Sequence, residues 1–136
     1  MCFYTEPNLM SVPLNLDGFD VEQAVDRMLG REDLWWQALL LYVDHFAGWE
    51  HEWHAVRGDD AEERRLVHAL RSAALNVGAN RLATAATVLE DLLLIRLAGG
   101  QQYVPSSIRW YLQDCWRQTR SVATAACRIY AGGEAN

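Results

Sequence analysis

The chain has 136 residues, 51% of them apolar and six of them Trp, which is material enough for one domain with a filled core and no need of covalent staples. Its formal charge of −6 comes from 18 acidic residues against 12 basic ones, every one of them Arg, and a net-negative chain without a long basic run argues against nucleic acid as a partner. Cys2, Cys115 and Cys127 show no CxxC or metal spacing, no apolar run approaches the roughly 20 residues of a membrane span, and the N-terminus lacks the basic-then-apolar order of a signal peptide. A cytoplasmic protein without membrane insertion is expected, with Cys115 and Cys127 serving as buried small hydrophobes.

Residues 1–18 contain Pro7, Pro13, Asn15 and Gly18 without sustained periodicity and read as an extended leader or the end of a linker. Asp20 with Gln23 three residues later is a capping-box signature, and Gly30 suits a helix end, so a short first helix is expected at about 20–29. The stripe Trp35, Leu39, Tyr42, Phe46, Trp49, Trp53, Val56 alternates steps of four and three and predicts one long second helix ending at Gly58. Asp60 with Glu63 forms a second capping box, opening a helix that closes near Gly78. A further helix from about Asn80 to Leu97 carries Leu82, Ala86, Leu89 and Leu93 on its apolar side. After Gly99, Gly100 and Pro105, Ser106 or Ser107 can cap a last helix with Ile108, Leu112, Cys115, Thr119, Val122, Ala126 and Ile129 at the same spacing, ended by Gly132 and Gly133. No β-alternation, repeat or low-complexity tract is present. The expected fold is all-α, an antiparallel four-helix bundle with a short additional N-terminal helix, built from residues 19–131 and followed by a tail at 132–136.

Within the third expected helix, Leu66, Leu70, Ala73 and Val77 define the inward stripe, while His68 sits about 200° from both Leu66 and Leu70 and should face solvent. Arg64, Arg65, Arg71 and Ser72 lie one turn to either side, so an imidazole nucleophile there would have guanidinium and hydroxyl groups near any anion it carried. An exposed helical histidine is by itself usually an ordinary surface residue. The surrounding sequence is what singles His68 out.

From Gly18 to about Leu93 the chain resembles the histidine-containing phosphotransfer (HPt) domain of bacterial multistep phosphorelays. Gly18-Phe19-Asp20 and Leu29-Gly30 stand where that family has a Gly-hydrophobic-Asp segment and a helix ending in Leu-Gly. Its His-x-Leu-Lys-Gly motif followed by Gly-Ala corresponds to His68-Ala69-Leu70-Arg71-Ser72 and then Gly78-Ala79, and its Leu-Glu on the next helix to Leu89-Glu90. The resemblance implies that His68 accepts a phosphoryl group from a receiver-domain aspartate and passes it to another receiver. It implies that Arg71 sits by the phosphoryl group and that Glu90 hydrogen-bonds the ring nitrogen that is not phosphorylated. Response-regulator receiver domains and a hybrid sensor kinase are the implied partners of a monomeric carrier, free-standing or the C-terminal domain of such a kinase. Two positions depart from the family pattern: Arg71 for Lys keeps the charge but changes donor geometry, and Ser72 for Gly adds a hydroxymethyl beside the docking face.

The residues are consistent with that chemistry. A carboxylate accepting one imidazole N–H fixes the tautomer and leaves the other nitrogen nucleophilic, and Glu90 is the candidate, although it could equally be an exposed polar residue. Arg71 can hold phosphoryl oxygens. No Walker A sequence, nucleotide loop or Mg²⁺-binding Asp cluster is present, so no autonomous kinase activity and no intrinsic cofactor are expected, the Mg²⁺ being supplied by the partner receiver. Leu75 shares the face of His68 and, with Arg64, Arg65 and Ser72, makes a candidate docking surface. The alternative is a phosphorylation-inactive four-helix adaptor that binds receiver domains or kinases without transfer. A metal-binding bundle ranks below both, because His45, His51 and His54 with Glu50 and Glu52 do not make HExxH and face no second His/Glu set.

Overall fold

A computed structural model describes the backbone of residues 11–135, with side chains through Gly132, and the described residues contain six helices and no strand. These are α1 (Val21–Arg27), α2 (Glu32–His45), α3 (Trp49–Val56), α4 (Asp60–Val77), α5 (Asn80–Leu97) and α6 (Ser106–Ala135). Around the bundle α2 packs on α4 and α6, and α5 packs on the same two helices, closing a ring of four; α3 covers α4, and α1 rests against α2 and α4. The all-α reading therefore holds. Among the described residues no helix is long and apolar enough to cross a membrane.

The long second helix expected from the stripe at 35–56 is instead two. Past His45 the Ala47 N–H turns back to Asp44 O and the Trp49 N–H to Phe46 O, both three-residue steps, and Gly48 is the N-cap of α3. Glycine is a poor interior helix residue, by about 1 kcal/mol against Ala, and the periodicity of apolar side chains did not register it. All the same, Trp35, Leu39, Tyr42, Phe46, Trp49 and Trp53 are buried as the stripe requires. Beyond the break Trp49 Nε1 donates to Leu66 O and Trp53 Nε1 to Glu63 Oε2, tying α3 to α4.

The second capping box is also corrected. Asp59, not Asp60, is the N-cap of α4, accepting from the Glu62 N–H at 3.2 Å, and Glu63 is wholly buried. Its carboxylate takes both Nε and Nη2 of Arg109 on α6 at 2.8 Å, together with Trp53 Nε1 at 2.9 Å, which satisfies a charge that burial would otherwise make costly. The carboxylate in turn holds the Arg109 guanidinium above its usual range. On α1 the expectation stands, with Asp20 Oδ1 accepting from the Gln23 N–H. The last helix does not end at Gly132 and Gly133 but continues to Ala135, because glycine lowers helix propensity without forbidding helical φ/ψ. Of its expected stripe, Leu112, Cys115, Thr119 and Ala126 are buried, but the buried face is wider and also takes in Trp116, Ala123, Cys127 and Tyr130, while Ile129 is exposed. Cys115 and Cys127 are buried free thiols, and burial pushes both up in pKa, while Cys2 lies outside the described residues.

The turn between α4 and α5 is the joint of the fold. Gly78 adopts φ +82°, and the Ala79 N–H closes back on Ala74 O at 2.8 Å, a Schellman-type end. The carbonyls at the end of α4 are then taken up by other elements: Leu75 O by Arg27 Nη2, Val77 O by Trp35 Nε1, and Gly78 O by the Asp20 N–H at 2.7 Å. A Cβ at position 78 would lie 2.5 Å from Asp20 O and 3.0 Å from Ala24 Cβ. Gly78→Ala is expected to destabilise the protein by about 2–4 kcal/mol, from the left-handed backbone and the backbone clash together, measured as a lower urea midpoint.

Candidate functional site

Because α4 and α5 are joined by Gly78 and Ala79 alone, they run antiparallel and residues equidistant from the turn face one another. His68 and Glu90, ten and eleven residues from Gly78 and Ala79 respectively, are brought side by side about 15 Å from the turn. Glu90 belongs to the inward face of α5, seven residues beyond Ala83 and four beyond Ala86, both buried. It is only 2% exposed. The reading of Glu90 as an exposed polar residue is thereby excluded, and its place four residues beyond Ala86 was the sequence signal for burial.

His68 is exposed on α4, as its angular offset from Leu66 and Leu70 requires, yet its ring leans onto Glu90 with Nδ1 2.7 Å from Oε2. A carboxylate only accepts, so a hydrogen bond in this contact takes its proton from Nδ1, which in a neutral ring is the Nδ1–H tautomer. Nε2 then carries the free lone pair, and it has no hydrogen-bond partner among the described residues.

Two arginines share the same carboxylate. Arg64 Nε donates to Oε2 at 3.1 Å and Arg71 Nη1 to Oε1 at 3.2 Å. The spacing explains the convergence, since positions 64, 68 and 71 are successive i, i+4 and i, i+3 neighbours on one face of α4. One buried carboxylate thus accepts from three donors, two of them cationic. The set His68, Arg64, Arg71, Glu90 carries one net positive charge with the imidazole neutral. The Arg71 Nε is buried without a partner, a donor held at the site and not used by Glu90.

The remaining expected residues separate. Arg65 turns to Glu62, one turn back on α4, at 3.1 Å, and does not join the group. Ser72 is exposed. Leu75 is 43% exposed and, together with Arg71, lines a groove of about 460 Å³ between α4 and α5, whose other walls include Gln23, Thr84, Thr87 and Val88. The sequence reading did not identify the α5 wall, although Thr84, Thr87 and Val88 share one helical face by their three- and four-residue spacing.

Residues 37–122, well over half of the chain, match the family model of the Hpt domain. The chain belongs to the Hpt domain family. No curated protein and no solved structure matches it. An Hpt domain has a phosphotransfer-related role in phosphorelays and interacts there with receiver domains and kinases. The matched residues span α4 and α5 entire and so include His68 and its three neighbours, whereas α1 with Gly18, Phe19 and Asp20 lies before them. In this Hpt domain Glu90→Ala would leave two guanidiniums about the ring with no acceptor. A loss of about 1–3 kcal/mol is expected from the stranded donors, read as a lower melting temperature with helicity retained.

Proposed function

We propose that the protein is a phosphorelay intermediate in which His68 accepts a phosphoryl group on Nε2 from a receiver-domain aspartate and passes it to the aspartate of another receiver. The observation that carries the reading is the Nδ1 contact to buried Glu90, which leaves Nε2 as the lone-pair nitrogen of an exposed ring. In the forward step the Nε2 lone pair attacks phosphorus, the P–O bond to the acyl phosphate breaks, and the aspartate leaves as a carboxylate. The ring, still carrying its Nδ1 proton, becomes cationic, and Glu90 lies where that developing charge is stabilised. Onward transfer reverses these bond changes on a second receiver.

Arg71 is assigned to the phosphoryl oxygens, since it flanks His68, faces the α4–α5 groove and is 37% exposed. The Mg²⁺ of the transfer is assigned to the receiver. The receiver would dock over the exposed part of this face, with Leu75 as an apolar anchor and Arg65 and Ser72 at its rim.

His68→Gln is expected to abolish phosphoryl uptake from a phosphorylated receiver and to leave the melting temperature nearly unchanged, since the side chain is 46% exposed. Label retained by that variant would overturn the assignment, and a wild-type protein that binds the receiver without taking up label would make it an adaptor instead. Glu90→Ala should slow transfer about 10- to 100-fold without eliminating it, measured by rapid quench. Leu75→Ala should raise the dissociation rate of the receiver at low and high salt alike, measured by surface binding kinetics.

A further inference from the structure

The geometry points to Arg64 as a positioning residue for His68 that acts through Glu90, rather than as a charge on the docking rim; the inference rests on the reading of His68 as the nucleophile. Glu90 Oε2 is a shared acceptor, taking His68 Nδ1 at 2.7 Å and Arg64 Nε at 3.1 Å, while the other oxygen is held by Arg71. A glutamate side chain has three torsions, and its carboxylate can turn about the last of them with little resistance. Here each oxygen has its own guanidinium, so the plane of the carboxylate is fixed at two points and Oε2 stays in front of the imidazole. The group is 2% exposed, so solvent does not replace a lost donor easily.

The two arginines are not equivalent. Both reach Glu90 through a single nitrogen, but Arg71 lines the open groove and Arg64 does not. Arg71 is therefore the one placed to trade Glu90 for phosphoryl oxygens. Arg64 lies on the opposite side of His68 along α4, and its Nε contact falls on the same oxygen as the ring. When Arg71 turns to the phosphoryl group, Arg64 is the donor that keeps Oε2 on Nδ1 and so keeps Nε2 directed outward. The neighbouring charged pair, Arg65 with Glu62, is turned away and cannot substitute.

The decisive measurement is the imidazole tautomer in the unphosphorylated full chain, followed by long-range ¹H–¹⁵N correlation at about pH 8, where free imidazole is neutral. His68 is assigned by the signal lost in H68Q, among only four histidines in the chain. Wild type should show His68 as Nδ1–H. R64Q should shift it toward a mixture with the Nε2–H form and slow phosphoryl uptake roughly two- to tenfold, the range for losing one hydrogen bond among several, with the receiver Kd and its salt dependence unchanged. R64K, which restores charge but not the fixed Nε donor, should fall between the two. If R64Q kept the wild-type tautomer and rate while the receiver Kd rose at low salt, Arg64 would be a docking charge and the inference would be overturned. Because the tautomer is read without any transfer, a wild-type protein that takes up no label would refute the proposed function alone and leave this measurement standing.

Discussion

Everything at the site depends on the register that the two-residue connection at Gly78 and Ala79 imposes on α4 and α5. A helical pair joined so tightly has no freedom to slide, so the residues opposite one another follow by counting from the turn. That counting sets Glu90 beside His68, and the 2.7 Å contact between them is its outcome. Gly78 is required twice over, by its φ of +82° and by the approach of Asp20 O, which a Cβ would meet at 2.5 Å. A change at the turn would therefore be felt about 15 Å away, at the histidine.

Burial of acidic groups follows the same logic at two places with different consequences. Glu63 is matched by a bidentate Arg109, 22% exposed, and by the buried Trp53, a set that pins α3, α4 and α6. Glu90 is matched by Arg64, Arg71 and His68, each of them partly open to solvent. Desolvation of a carboxylate demands donors in both cases. What differs is the degree to which those donors are exposed, 22% for Arg109 against 37% for Arg64 and Arg71 and 46% for His68.

The arginine-only basic complement of the chain has a bearing here. A lysine at position 71 would offer one compact ammonium, whereas the guanidinium spans Glu90 with Nη1 and still holds an Nε donor in reserve. Departure from the Lys of the family motif thus keeps the charge and redistributes the donors, one of them going to the carboxylate that also meets His68. Ser72, the other departure from that motif, is exposed one turn from His68.

Much of this was legible in the order of residues. The angular offset of His68 from Leu66 and Leu70 put the ring outside, the Leu82, Ala86, Leu89, Leu93 stripe gave α5 its buried face, and Gly78 marked the end of α4. These are properties of a single helix, and one helix's periodicity and its termini are written locally. The break at Gly48 and the inward turn of Glu63 were not legible, because apolar spacing is blind to a one-residue change in hydrogen-bond step and to a salt bridge formed 46 residues away. The same limit applied to the arginines. Sequence set Arg71 apart for the phosphoryl oxygens and grouped Arg64 with Arg65 as docking charges, and only the packing of α5 on α4 separated Arg64, which grips Glu90 with Arg71, from Arg65, which turns to Glu62, since a side chain's partner is chosen by what the neighbouring helix brings within hydrogen-bond reach.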